Sequence, residues 1–173
     1  MGKRKQAKFL KLYEPVHDSF ERFCRARVYG EMEYTDLMNE TLLIAYEKLD
    51  SLRSEKAFLS FLFSISVRLL ANDNRKLKAE KTQISEVNLV DAQTQSPEQA
   101  AEVHLLHRAL SCLPEEQKES IILFEISGFS IKEIAQIQNA SESAVKQRLR
   151  RGRLKLTEIL TFESPQNAER SSL

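Results

Sequence analysis

Apolar residues recur every three or four positions through most of this chain, and no feature restricts its fold more. Phe9, Leu12, Val16, Phe20 and Phe23 keep that spacing, with Pro15 marking a break or a new first turn. Residues 36–49 predict an amphipathic helix. Leu37, Thr41, Ile44, Ala45 and the Lys48-Leu49 pair share one face, and Asp36, Asn39, Glu40, Leu43 and Glu47 share the other. A longer helix is predicted over 57–78, where Phe58, Phe61, Leu62, Ile65 and Leu69 form the main stripe and Leu59, Phe63, Val67 and Leu70 widen it. So broad an apolar arc places this helix in the middle of its domain. The chain has only 4 Gly and 4 Pro in 173 residues, too few for turn-rich β architectures. The expected fold class is all-α.

Composition then narrows the function. A mass of 20.0 kDa allows one domain or two small ones. Neither GxGxxG nor GxxxxGK[ST] occurs, so no phosphate-cradling glycine loop is available. A balance of 26 Lys+Arg against 25 Asp+Glu excludes an acidic solvating tail. No apolar run approaches the roughly 18 residues of a membrane span, so no membrane insertion is expected. The basic start (Lys3, Arg4, Lys5, Lys8, Lys11) lacks the apolar stretch of a signal peptide. Cys24 and Cys112 lie far apart among apolar residues, which predicts small core fillers in a reducing cytoplasm. His104 and His107 share a helical side without a completing cysteine or carboxylate, and they read as surface histidines. No metal, cofactor or catalytic set is expected, so the chain is not read as an enzyme.

The pattern lapses in the middle. Residues 82–103 carry Glu86, Asp91, Glu98 and Glu102, no Lys or Arg, and a polar run at 93–97. A flexible acidic linker is expected, dividing the chain into a domain at 1–85, a linker at 86–103, a second domain at 104–160 and a tail at 161–173. From His104 the helical spacing returns. Leu106, Leu110 and Leu113 end one helix before Pro114, and Glu115 and Glu116 put negative charge at the positive end of the next.

The strongest local motif spans 130–153. Ser130 and Glu133 form a capping box. Ala135 is small enough for two helices to cross, Asn139 tolerates a left-handed turn, and Val145 plugs the gap. That spacing predicts a helix-turn-helix. In the helix capped by Ser141, Val145, Leu149, Gly152, Leu156 and Ile159 face inward. Lys146, Arg148, Arg150, Arg151, Arg153 and Lys155 give a basic outer surface free of acids, which attracts phosphate. Lys146, Gln147 and Arg148 are placed to reach base edges, with Arg150 and Arg151 completing the candidate DNA-binding set.

The segment LSCLPEEQKESIILFEISGFSIKEIAQIQNASESAVKQRLRRGRLKLTEIL resembles region 4 of sigma factors. YTDLMNETLLIAYEKLD resembles their region 2 motif, and FLSFLFSISVRLLANDNRK the neighbouring promoter-melting helix. Two signatures in this order, without room for further regions, resemble the compact extracytoplasmic-function (ECF) sigma factors. The resemblance implies a protein that docks on bacterial RNA polymerase core through Asp36, Asn39, Glu40 and Leu43. It implies reading of the −10 element by Phe61, Arg68, Asn72, Arg75 and Lys76, and of the −35 element by the helix-turn-helix. It also implies an anti-sigma factor as a partner. Asn39 stands where the family usually has Gln, Phe61 where Trp is common, and Arg68 and Asn72 for Asn and Asp, so −10 preference does not follow. Two alternatives stay open: a stand-alone helix-turn-helix regulator, and a sigma-like polymerase binder that does not initiate.

Overall fold

The computed structural model describes residues 2–77 and 96–162, and the described residues contain helices and no strand. The first helix, α1 (Gly2–Tyr13), ends because Pro15 offers no amide hydrogen. A 3-10 turn, Glu14–Val16, re-aims the chain into α2 (His17–Arg27). Gly30, at φ 75, turns it back toward α3 (Tyr34–Glu47). Two more 3-10 turns lead into α4 (Phe58–Leu77), the predicted central helix.

Aromatic packing holds this first unit together. Phe20, Phe23, Phe58 and Phe63 are fully buried, and the Phe23 and Phe63 rings stand 4.4 Å apart. Phe9 meets Phe58 edge-on at 5.6 Å, which fixes α1 against α4. Such offset and edge contacts each add about 0.5–1.5 kcal/mol beyond area burial.

The second unit starts earlier than expected. Helix α5 (Pro97–Ser111) occupies 97–103, which the composition assigned to a linker, while 86–95 lie outside the described residues. Its start is capped: Ser96 Oγ accepts from the amide of Gln99 at 3.3 Å, and Pro97 sits in the first turn. Helix α6 (Glu115–Ile121) runs into a single π turn, Ile122–Ile126. Gly128, at φ 75, closes that segment. Then follow α7 (Ile131–Ile137) and α8 (Glu142–Phe162), so 161–162 are helical and the rest of the expected tail lies outside the described residues.

The two units pack against each other. The Phe63 and Phe129 rings meet at 4.9 Å in a T-shape, joining α4 to the loop before α7. Beside them lies an ion cluster that no periodicity announced. Arg27 and Lys118 are 2% and 1% exposed; Glu31 and Glu115 stand between them, and Glu119 pairs with Arg27 alone. Lys118 Nζ donates to Glu31 at 2.6 Å and to Glu115 at 3.1 Å, linking α6 to the turn that follows α2. Two expectations fail. Cys112 is exposed, beyond the last turn of α5, and only Cys24 fills the core, where burial pushes its thiol up. His104 and His107 are not free surface side chains. Tyr29 bonds His104 Nδ1 and packs its ring 5.0 Å from His107, so both histidines belong to the contact between units.

Candidate nucleic-acid interface

The helix-turn-helix forms for local reasons. The Ser130 side chain accepts from the Glu133 amide at 3.2 Å, and Glu133 accepts from the Ser130 amide at 2.8 Å, completing the capping box. Helix α7 stops at Asn139, whose φ of 50 is the left-handed turn position. The Ala140 amide closes back on the Ala135 carbonyl at 2.9 Å. Ser141 Oγ then accepts from the Ala144 amide at 3.1 Å and starts α8. Val145, Leu149 and Gly152 are buried against α6 and α7, which fixes which side of α8 faces out.

Lys146, Gln147, Arg150 and Arg151 lie on that outer side and are exposed. Arg148 differs. It is half-buried; its Nη1 donates to Gln138 Oε1 at 3.1 Å, and its Nη2 lies 3.2 Å from Glu116. Arg153 is turned aside as well, onto Glu125 at 2.8 Å and over the Phe124 ring. A cavity of about 860 Å³ separates α8 from α4. Gln147, Arg148 and Arg151 form one wall, Val67 and Ala71 the other, and Glu115, Glu116 and Glu119 the floor.

On α4, Arg68 and Asn72 are exposed, while Phe61 is half-buried with its ring 6.4 Å from Phe58. Arg75 and Lys76 occupy the last turn of α4, and their side chains lie outside the described ones. On α3, Asp36, Asn39, Glu40 and Leu43 all face solvent, and Leu43 is 60% exposed. The structure therefore keeps the α3 set on one open helix face and sets α4 across the cleft from α8.

One group among the described residues has metal-ligand composition: His17, Asp18 and Glu21, with ligand atoms within 4.8 Å. Two of its three members are already engaged by neighbours. Tyr13 bonds His17 Nδ1 at 2.7 Å, and the Arg25 guanidinium donates to Glu21 at 2.9 Å, holding that carboxyl below its usual range. Sequence reasoning missed buried Arg27 and half-buried Gln138, because polar residues inside a fold carry no periodic signal, and it read exposed Glu116 only as a helix-start charge. Only the number of acids in 115–119 hinted at a buried cation.

A capped helix-turn-helix with a basic outer face, joined to an aromatic-cored helical unit, defines a helical protein of the nucleic-acid-binding class. Residues 104–156 match the family "Sigma-70, region 4". The ECF RNA polymerase sigma factor EcfG of Rhodopseudomonas palustris is 31% identical over 136 residues, covering 76% of this chain and 74% of the relative. The ECF RNA polymerase sigma factor SigM of Mycobacterium tuberculosis is 28% identical over 155 residues, covering 89% and 78%. In three dimensions the chain superposes on the sigma factor RpoE of Bartonella quintana, solved in complex with the anti-sigma factor NepR. The TM-score is 0.77 at 26% identity, over 91% of this chain and 99% of that one. The chain belongs to the ECF RNA polymerase sigma factors.

Proposed function

We propose that this chain binds bacterial RNA polymerase core and directs it to particular promoters, with the chemistry left to the polymerase. The observation that carries this is coverage: the 31% identity to an ECF sigma factor extends over 136 residues and so reaches both helical units, not the helix-turn-helix alone. A stand-alone regulator, whose first unit would bind a signal or dimerise, gives no reason for that unit to share this likeness. Docking on core is assigned to the open α3 face, where exposed Leu43 is surrounded by Asp36, Asn39 and Glu40. An exposed leucine inside a polar rim is the composition of a protein-protein contact.

DNA reading is divided. Lys146, Gln147, Arg150 and Arg151 are assigned to the −35 element, where Gln and Arg pair bidentately with A and G. Phe61, Arg68 and Asn72, with Arg75 and Lys76 beyond them, are assigned to the −10 element, where an aromatic face offsets lost base stacking. The likeness to a sigma factor held by NepR supports an anti-sigma factor as a partner here too. The division of the chain into a region 2 unit and a region 4 unit, and work in the cytoplasm, belong to the same reading. Equilibrium binding to promoter duplex, with and without core polymerase, tests it. The expected result is negligible duplex binding by the chain alone and specific binding with core. Specific binding alone, to paired half-sites, favours the stand-alone regulator.

A further inference from the structure

Two of the chain's three histidines lie at the contact between units, one turn apart on α5, and both rest on Tyr29 of the first unit. The Tyr29 hydroxyl bonds His104 Nδ1. A neutral His104 accepts that bond; a charged one can only donate there, which reverses it. The His107 ring stands 5.0 Å from the Tyr29 ring, tilted by 59°. The charges acting on His107 come from Arg25 on α2 and from His104 on its own helix. Arg25 donates to Glu21 at 2.9 Å and to the Tyr34 hydroxyl at 2.9 Å, so the Glu21 carboxylate is engaged there. Arg108, next along α5, acts on Tyr29. Helix α8 also packs on α5, and among the described residues neither it nor any carboxylate offsets a charge on His107. Protonation therefore puts a cation into a half-buried place that already holds Arg25. The Tyr29 ring attracts a cation, but one such contact is weak beside burial and Arg25. With the units packed, burial first, then His104 and Arg25, hold His107 below its ordinary 6.5.

On the reading of α4 and α8 as the −10 and −35 readers, the packed form is idle. The two elements stand about 25 base pairs apart, about 85 Å of duplex at about 3.4 Å per base pair. Helices that wall one cleft of about 860 Å³ cannot span that distance. The units must part, which breaks the Phe63–Phe129 contact, the ion cluster around Arg27 and Lys118, and the Tyr29 contacts. Of these three, only the Tyr29 contacts hold side chains whose ordinary titration falls near neutral pH. Parting returns water to His107, so the open form binds its proton more tightly than the packed one. Packing is therefore favoured above about pH 6.5 and weakened as pH falls below it, by at most about tenfold per pH unit for one proton.

We propose that Tyr29, His104 and His107 form a proton-operated latch between the units: mild acid charges His107, parts the units and raises the share of chain able to engage core polymerase and span a promoter. The parting rests on the cluster alone, and its consequence for core rests on the function proposed above. His17 supplies the internal comparison, since it lies on α2 and bonds Tyr13 inside the first unit.

The test is small-angle X-ray scattering of the full chain at about pH 7.5 and about pH 5.5, either side of the ordinary histidine range, with circular dichroism at both. Wild type, His107→Gln and His17→Gln are compared. His107→Phe, which keeps a ring on Tyr29 and takes no proton, serves if His107→Gln does not fold. The wild-type radius of gyration is expected to rise at the lower pH by at least about 2 Å, against about 16 Å for a compact chain of this length, with helicity kept. His107→Gln should stay packed at both pH values, and His17→Gln should respond as wild type does. An unchanged wild-type radius, an equal rise in the His107 variant, or a rise accompanied by loss of helix overturns the proposal. Titrating core polymerase with the same chains reads the consequence. The affinity of wild type relative to His107→Gln should grow by about threefold or more at the lower pH, as the competent fraction rises. Units that part while no chain binds core at either pH overturn the sigma reading and leave the latch standing.

Discussion

Gly152 and Ile121 are in direct contact: a Cβ on residue 152 would stand 2.6 Å from Ile121 Cδ1, 3.3 Å from its Cγ1 and 3.4 Å from Gln117 Cβ. A glycine inside a helix ordinarily costs about 1 kcal/mol against alanine, so its presence in α8 needs a reason, and close approach of α6 is that reason. Gly152→Ala is expected to lower stability by about 1 kcal/mol, because overpacking outweighs the propensity gain. Ile121→Val removes the clashing methyl. The double variant should therefore lose less than the sum of the two single losses, by at least about 0.5 kcal/mol in a denaturant-unfolding cycle.

The capping box is expected to matter for the turn and little for the rest. Ser130 and Glu133 are exposed, so their substitution leaves packing intact and removes only the reciprocal bonds. Ser130→Ala should cost about 1 kcal/mol of stability, as lost caps typically do. Amide exchange should quicken in α7 first.

Leu43 offers a clean separation of folding from docking. Its 60% exposure means that Leu43→Asp removes almost no core contact, so thermal unfolding should stay within about 0.5 kcal/mol of wild type. Affinity for core polymerase should fall by about tenfold or more, the size of a modest interface hot spot. A pull-down titration with purified core measures it.

Acid should loosen the contact between units in two steps. Burial works against charge on Glu115, but Arg27 and Lys118 outweigh it and hold the carboxyl below its ordinary 4.5. His107 is held below its ordinary 6.5, first by burial and then by His104 and Arg25. Both groups bind fewer protons folded than unfolded, so each contributes stability that is present above its ordinary value and lost as pH falls through its folded one. Melting temperature should therefore decline as pH drops below about 6.5 and again below about 4.5. A rise between pH 6.5 and 5 would contradict the assignment for His107.

Legibility followed locality. The turn at Asn139, the Ser130 box and the inward stripe of α8 were readable because each is set by residues within a few positions of one another. So was the open face of α3. Arg27 and Lys118 were not, since a charged side chain at helical spacing reads as solvent-facing, and their partners across the contact between units lie 92 and 87 positions away. The early start of α5 was legible in principle: Ser96-Pro97 followed by Gln99 is a start signal of the same kind as Ser130, hidden by the acidic, polar composition around it. Arg148 shows the remaining gap. Helical geometry put it beside Gln147, but only the fold shows that Gln138 and Glu116 hold it inward.

Mapping transcription start sites on a genomic fragment library, using purified core polymerase with and without the chain, tests the central claim most directly. The account predicts discrete new starts that share two spaced upstream elements and disappear with Lys146→Ala/Arg151→Ala. An absence of new starts, although core retains the chain, would contradict it and leave a polymerase binder that does not initiate.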